Sequence, residues 1–520
     1  MKVAITASIF AVLAATTCAA AGLANPAPAK TTVTAQAVSA AVAKVQALAG
    51  QAIKDRAVPG VAVAVVFDDK LVWSGGFGVR DTAGAAPVDA DTVFQLASVS
   101  KPLASTVVAE LVGEGKISWD SKISDLDPGF QMADPWVTRE VTLADLFSHR
   151  SGLPDHAGDL LEDMGYSRAE FLRRLRYQKG GGAFRDSYAY TNFGLTEAGV
   201  AAAGAYGLTW EDASQAKLYG PLGMTSTSSR FADFLSRPDR ARGHVKVNGQ
   251  WVAKYQREPD PQSPAGGASS SVNDMAKWMR LQLADGRFEG RQVVDAKALA
   301  ETHAPQARSG TNHLTGAPAF YGLGWGVSYD GEGRLRLSHS GAFSTGASTA
   351  VSLVPAEHLG VVVLTNAAPV GVAEGLTFAF MDQALYGRQT QDWAALFAKV
   401  FADLASPGVS TGVDYSKPPA KPSPALAEAA YLGTYANDYF GDVRVIDQAG
   451  RLAMVMGPDK TTFPLTHFDR DTFTHETVGE NAVGPSGVTF TLGPDGRATA
   501  VTVENLNSHD DGVFPRKAAR

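Results

Sequence analysis

The chain is 520 residues long and 45% hydrophobic, with a formal charge of −7. That length allows roughly two to four domains, and that composition supports a large core instead of a disordered chain. No Lys/Arg cluster accompanies the net negative charge, which excludes a nucleic-acid footprint.

The first residues read as an export signal. Lys2 supplies the charged start, and Val3 to Ala15 is an apolar run too short to span a bilayer comfortably. Small residues follow, and cleavage after Ala24 sets the signal peptide at 1–24. Cys18 is the only cysteine; Thr17 before it departs from the small residue of a lipoprotein signal, which argues against lipidation. Cleavage removes Cys18 and with it any disulfide, thiol nucleophile or cysteine metal site. It also removes Lys2, taking the formal charge from −7 to −8. No later segment is apolar enough to cross a membrane, so an exported, periplasmic or secreted protein without a stable membrane span is expected.

Residues 25–35 are Ala/Pro/Thr-rich and are expected to form a flexible lead-in. An Ala/Val/Leu helix is predicted from about Gln36 to Ala57. Val61 to Phe67 and Leu71 to Gly78 read as buried antiparallel strands joined by Asp68-Asp69-Lys70.

Phe94-Gln95-Leu96-Ala97-Ser98-Val99-Ser100-Lys101 comes next, and the apolar helical run Leu103, Val107, Val108, Leu111 follows it. A helix starting near Ser98 puts the Ser98 hydroxyl and the Lys101 ammonium on one face. The hydroxyl becomes a nucleophile only when a base takes its proton. Lysine serves as that base only if burial or other cations lower its pKa. Free N–H groups at a helix start also suit a developing oxyanion. Alone, Ser-x-x-Lys is weak evidence, and on the tetrad by itself a capped surface helix is the favoured reading.

Two distant stretches add to it. In Tyr190-Thr191-Asn192, residues i and i+2 can point the same way on an extended loop. A phenol beside a lysine and a serine can relay a proton as phenolate, or share that task with the lysine. The Asn192 amide can hydrogen-bond both lysine and substrate. His339-Ser340-Gly341-Ala342 is placed on an edge strand, where Gly341 allows close backbone approach. The Ala342 N–H can pair with that of Ser98 as an oxyanion hole, and His339 and Ser340 can donate to a substrate carboxylate or to Tyr190.

Between these stretches, His149, Asp155, His156 and Asp159 form a possible polar cluster whose spacing does not demand a metal, and His149 is expected to be structural. A helix with Asp274 early and Met275, Trp278, Met279 and Leu281 on its apolar face is predicted, then strands at Leu335 to Ser338, Ser348 to Val354 and Gly360 to Thr365. Strands at both ends with helices between predict an α/β sandwich whose sheet joins the two ends. The Pro-rich stretch within 401–425 reads as a semi-rigid linker. Beyond it, short β-type runs at Gly433 to Ala436, Val443 to Asp447, Leu452 to Met456, Thr472 to His475, Val488 to Leu492 and Thr499 to Val503 suggest a small antiparallel barrel or sandwich over 426–520. Gly408-Val409-Ser410-Thr411-Gly412 fits the nucleophile-elbow pattern but lacks the strand-turn-helix context, and is rejected.

Ser98-x-x-Lys101, Tyr190-x-Asn192 and His339-x-Gly341 occur in the order of the class C β-lactamase-like serine hydrolases, which the chain resembles over about residues 40–390. Leu146 to Pro154, Pro221 to Met224, Tyr321 to Trp325 and Val363 to Asn366 also match. The resemblance implies a β-lactamase/DD-peptidase-like antiparallel sheet with a helical region over 36–400, an α/β (α+β) fold. It implies Ser98 as acyl-enzyme nucleophile, Lys101 and Tyr190 as shared base and acid, Asn192 positioning Lys101 and substrate, and an oxyanion hole from the Ser98 and Ala342 N–H groups. His339 stands where class C β-lactamases have lysine, which points toward the peptidase and esterase branches. Ser340 keeps a hydroxyl for carboxylate recognition. No cofactor and no metal are implied. The C-terminal region resembles a lipocalin-like barrel.

The reading is an exported serine hydrolase, first a peptidase on short or D-residue peptides, second an esterase or weak β-lactamase. A penicillin or muropeptide sensor that acylates without turnover is the rival. The partner is a small-molecule or short-peptide substrate, with no nucleic acid. All three motifs precede the Pro-rich stretch, so the C-terminal region is expected to be dispensable for acylation while shaping access.

Overall fold

The computed structural model describes residues 32–311, 316–405 and 413–518. The export signal, most of the lead-in and the Gly408–Gly412 motif lie outside the described residues. Helix α1 (Ala35–Lys54) begins at Thr34, whose hydroxyl accepts from the Ala37 N–H. Val38, Ala41, Val45 and Ala49 recur at helical spacing and pack on Val61, Val63 and Val65 of strand β1 (Gly60–Phe67). The lead-in is anchored at its end: Val33 is buried and its N–H donates to Glu357.

Asp68 and Asp69, at φ 49° and 56°, turn β1 into β2 (Lys70–Gly78). Two left-handed residues form the tight hairpin turn whose twist matches the flanking strands. Only β1 is buried as expected; β2 is the sheet's edge and is exposed or half-buried along its length.

Helix α2 (Ser100–Gly113) is buried on nearly all sides. It packs with α3 (Asn192–Gly204) and α4 (Val272–Leu283) in one apolar core, through Leu103, Val107, Phe193, Met275 and Trp278.

The strands β3 (Ala307–Thr311), β4 (Pro318–Tyr321), β5 (Gly326–Tyr329), β6 (Leu335–Phe343), β7 (Ala347–Val354) and β8 (Leu359–Thr365) complete the main sheet. Its order is β2-β1-β8-β7-β6-β5-β4-β3, antiparallel throughout. β1 thus pairs with β8, the last strand of this sheet in the chain, which is how one sheet joins the two ends of the region. β1, β7 and β8 are apolar without alternation because both faces are covered: α1 and α5 (Val372–Tyr386) on one, the α2 core on the other.

β6 is not the edge strand expected. β5 pairs with it only at Leu335–Ser338, so β6 is interior there and open along one side from His339 to Phe343. Helix α6 (Trp393–Leu404) extends the body past 400, with Trp393, Phe397 and Phe401 buried against Ala379.

The C-terminal strands group as two antiparallel sheets, of four and five strands, joined by the isolated bridge Tyr435↔Arg516. A small barrel or sandwich is the expectation; the strands form two sheets, and the lipocalin-like barrel is not confirmed. The expected strands all occur, and Thr461–Pro464, Thr466–Asp469 and Val513–Pro515 are added. These are short, and two of them end in proline, which masks them in sequence. Residues 413–425 are not a free spacer: the Tyr415 ring lies 5.1 Å from Phe468, and the Ser423 N–H donates to Asp469 at 2.6 Å. No described helix is long and apolar enough to cross a membrane.

Candidate active site

Residues Phe94–Gln95 form a short strand with Ser269–Ser270, and the chain then tightens into a single 3₁₀ turn, Ala97–Val99, before α2 begins at Ser100. Ser98 therefore precedes the α-helix, yet the 3₁₀ step keeps it over Lys101. Ala97 sits at φ 47°, a left-handed conformation costly for a residue with a Cβ. Such strain beside a reactive hydroxyl is held only by the surrounding packing. Ser98 is half-buried between buried neighbours, and Ser100 points elsewhere, its Oγ accepting from the Ala268 N–H.

The Lys101 Nζ is fully buried and has three partners: Ser98 Oγ at 3.0 Å, Asn192 Oδ1 at 2.7 Å and the Ala265 carbonyl at 3.0 Å. Burial brings its pKa down to about 7, against the opposing charge of Asp159. Two of the three partners can only accept. A neutral amine must spend its two hydrogens on them, so its lone pair is left facing the Ser98 hydroxyl.

The Tyr190 hydroxyl donates to Ser98 Oγ at 2.9 Å. Burial pushes this phenol far above its ordinary pKa, so it stays protonated. A phenolate relay is therefore disfavoured, and of the two candidate bases only Lys101 is tuned to neutral pH. His149 packs under the Tyr190 ring at 4.5 Å and accepts from the Thr191 N–H. The turn carrying His149 is fixed by Asp145, fully buried and bound to Arg150 at 2.8 Å and Arg185 at 2.9 Å.

Asn192 lies not on an extended loop but at the first position of α3, after Thr191. Its Oδ1 holds Lys101, and its Nδ2 donates to both oxygens of Asp159, at 3.1 and 3.0 Å. That amide is committed to the protein, so the expected contact with substrate is not supported. Asp159 in turn binds His156 Nδ1 at 2.7 Å. Burial opposes a charge on His156, but the hydrogen bond and the charges of Asp159 and Asp155 raise its pKa.

Gly341 seats β6 against the nucleophile turn. A Cβ there would lie 2.4 Å from the Leu96 carbonyl and 2.9 Å from Ser98 N. Only glycine lets the strand approach this closely. Ala342 follows on the open side of β6.

The two residues before Gly341 are not where they were expected to act. The Nδ1 of His339 donates to the Ser340 carbonyl at 2.7 Å, and its Nε2 accepts from the Tyr321 hydroxyl at 2.7 Å. Burial and the nearby Lys101 charge lower its pKa to about 3. His339 is thus a neutral, doubly bonded ring, with neither nitrogen free for a carboxylate or for Tyr190. Ser340 points through the other face of the sheet, where it donates to the buried Glu374 of α5. It does not face the substrate side.

Ser98, Lys101, Tyr190, Asn192 and Gly341 thus converge on one point, supplied by distant stretches of chain. A family model described as Beta-lactamase matches residues 41–385. The chain belongs to the β-lactamase family. Members are serine hydrolases, and the enzyme assignment follows. Residues 417–513 match a domain of unknown function, DUF3471. An unguisins hydrolase of Aspergillus violaceofuscus is 26% identical over 493 residues, covering 87% of this chain and 86% of that protein. Penicillin-binding protein 4 of Amycolatopsis lactamdurans is 29% identical, covering 73% of this chain and 94% of that one. The octameric penicillin-binding protein homologue from Pyrococcus abyssi superposes with a TM-score of 0.59 at 19% identity, over 91% of this chain and 99% of that one, which shows the shared fold.

Sequence reasoning missed two groups that hold this β-lactamase-family site together. Asp159 was visible only as part of a polar cluster, and Tyr321 only as part of a matching stretch. Among the described residues, no group of three or more His, Cys, Asp or Glu is placed to hold a metal ion.

Proposed function

We propose that the protein is an exported serine hydrolase that cleaves an amide or ester through an acyl-enzyme on Ser98, with short or D-residue peptides as its first substrate class. The observation that carries this is the Lys101 amine: buried, near-neutral in pKa, and with one partner left to receive its lone pair.

In this mechanism Lys101 Nζ takes the Ser98 proton as Oγ attacks the carbonyl carbon. The oxyanion is received by the N–H groups of Ser98 and Ala342. As the bond to the leaving group breaks, the Tyr190 hydroxyl gives it a proton while the Lys101 ammonium returns one to the same oxygen, so that no free phenolate forms. Water then repeats the sequence in reverse, releasing the acid and free Ser98. Asn192 holds Lys101 in place, and Asp159 holds Asn192.

Turnover of esters or weak β-lactam hydrolysis is the second reading. The ester half of that reading is favoured by His339, whose neutrality removes the permanent cation at this position and counts against efficient β-lactam hydrolysis. A penicillin-binding sensor has the same acylation chemistry, and the likeness to a penicillin-binding protein supports it. Export rests on Lys2 and the apolar run behind it.

The test is to profile purified mature protein against ester, D- and L-peptide and β-lactam panels, with a fluorophosphonate probe alongside. Labelling with D-peptide turnover is expected. A burst without turnover favours the sensor, and an unlabelled wild type overturns the acyl-enzyme.

A further inference from the structure

The domain of unknown function reaches the edge of the catalytic site through one buried carboxylate. Glu480 lies in the loop after the C-terminal strand Thr472–Glu476. It enters the body beside the turn that joins β6 to β7. Its Oε1 accepts from the Ser344 N–H at 2.5 Å. Its Oε2 accepts from the Thr345 hydroxyl at 2.7 Å and N–H at 3.3 Å. The Ser344 hydroxyl donates to the Glu480 backbone carbonyl. Ser344 is two residues beyond Ala342.

The same loop holds the opposite wall. The Glu480 N–H donates to Asp163 Oδ1 at 2.8 Å. Asn481 donates to Asp163 Oδ2 from its N–H and its side chain, both at 2.9 Å. Asp163 ends the helical turn Asp159–Asp163, whose first residue holds Asn192. The guanidinium of Arg257 sits between the two carboxylates of Glu162 and Glu480, at 2.6 and 3.9 Å. The loop is stiff in itself: Thr477 Oγ1 accepts from the Val483 N–H at 2.7 Å and donates to the Gly484 carbonyl at 2.8 Å.

We infer that Glu480 is a positioning residue for the acylation step, stapling the end of β6 that carries Gly341 and Ala342 to the wall that carries Asp159. The reason is the shape of β6. From His339 onward it has a paired neighbour on one side only. Its free side must hold an N–H to within a few tenths of an ångström of the oxyanion, and one lost donor costs roughly a hundred-fold or more in rate. Beyond Phe343 the turn gains two backbone hydrogen bonds and two side-chain ones from the C-terminal loop. That gives the C-terminal domain a part in catalysis, against the expectation that it is dispensable for acylation.

The inference rests on Ser98 as nucleophile, and the experiment separates the two. Wild type, Glu480→Ala, Glu480→Gln and Thr345→Ala are compared in the full-length mature protein. A neutral aryl ester gives kcat and KM, and an aryl boronic acid, which forms a tetrahedral adduct on the nucleophile, gives an inhibition constant. Glu480→Ala is expected to lower kcat by roughly ten- to a hundred-fold, with KM nearly unchanged. The boronate should weaken by a similar factor, because it also uses the oxyanion donors. Glu480→Gln and Thr345→Ala, which keep part of the clamp, should fall between. A merely structural role would lower Tm and leave the boronate affinity of the folded protein alone. If Glu480→Ala fails to fold, the two milder variants decide: losses in kcat and boronate affinity together support the staple. Variants that fold and match wild type in both overturn it. A wild type that the fluorophosphonate does not label overturns the reading of Ser98, and this inference with it.

Discussion

In the proposed mechanism Lys101 sets the pH at which the site works, and Asp159 tunes Lys101. Burial lowers the lysine from 10.5 to about 7, with Asp159 pulling the other way. That difference corresponds to about 5 kcal/mol in favour of the neutral amine, at ~1.36 kcal/mol per pH unit. At pH 7 about half of the molecules then hold a competent base, against roughly one in 3,000 for an ordinary lysine. Replacing Asp159 by Asn keeps the shape and removes the opposing charge. Across the Asn192 amide the two groups are roughly 6 to 7 Å apart, and at an effective dielectric of about 20 their attraction is about 2 to 3 kcal/mol. Allowing for solvent screening, the Lys101 pKa should fall by a further one to two units or so. The assay is kcat/KM for a neutral aryl ester between about pH 5 and 9, which reports groups of the free enzyme. Wild type should show an acid limb near 7, and Asp159→Asn should move it to lower pH. His156→Gln, which removes the titratable ring bonded to Asp159, should leave the limb in place. A limb that stays put or moves up in Asp159→Asn, or that vanishes in His156→Gln, would refute Lys101 as the base.

Four further outcomes follow from the same geometry. Because the folded pKa of Lys101 is depressed, its contribution to stability is complete above about 10.5 and is lost as pH falls toward 7; Lys101→Met should lose acylation yet melt higher than wild type at neutral pH, and equal melting temperatures there would count against the buried ammonium. A fluorophosphonate should label wild type and Ser100→Ala but not Ser98→Ala, although Ser100→Ala leaves the Ala268 N–H unpaired and should cost about 1–3 kcal/mol on urea unfolding. Gly341→Ala puts a carbon 2.4 Å from the Leu96 carbonyl and should cut ester turnover at least roughly a hundred-fold; wild-type rates would show that β6 can retreat. His339→Lys should lower Tm and bring no preference for carboxylate-bearing substrates, since the side chain sits between Tyr321 and the Ser340 carbonyl; a raised ratio of carboxylate-bearing to neutral substrates in kcat/KM would restore it as an anchor.

The parts legible in the sequence are those whose partners lie close along the chain. Ser98 and Lys101 could be paired because a spacing of three survives a 3₁₀ turn running into a helix. The central strands β1, β7 and β8 could be seen because covered strands are continuous β-branched runs, whereas Ala307–Thr311 at the sheet's far edge was not. Asn192 and its bond to Lys101 were legible, but its bond to Asp159 was not: Asp159 is 33 positions earlier and stood out only within a polar cluster. Glu480 meets Ser344 across 136 positions, a contact no local pattern encodes. The Pro-rich stretch looked like a spacer because proline content reports stiffness and not what the chain lies against. Ser340 was within reach of a simpler argument. Adjacent residues of a strand face opposite ways, so His339 and Ser340 could never both look at one substrate.

That alternation bears on what the enzyme takes. With His339 on the site's face and held neutral, and Ser340 turned to Glu374, β6 offers a ligand its backbone and no permanent charge. Among the described residues the cation at the centre is Lys101, and the proposed mechanism needs it neutral before attack. A substrate carboxylate beside the scissile bond would stabilise the ammonium, raise the Lys101 pKa and so remove the base at neutral pH. The same carboxylate would find no charge-assisted hydrogen bond on β6 to offset that loss. Neutral amides and esters incur neither penalty. Under the proposed mechanism, substrates uncharged next to the bond that breaks are therefore favoured, and Arg257, held between Glu162 and Glu480, offers no free cation in compensation.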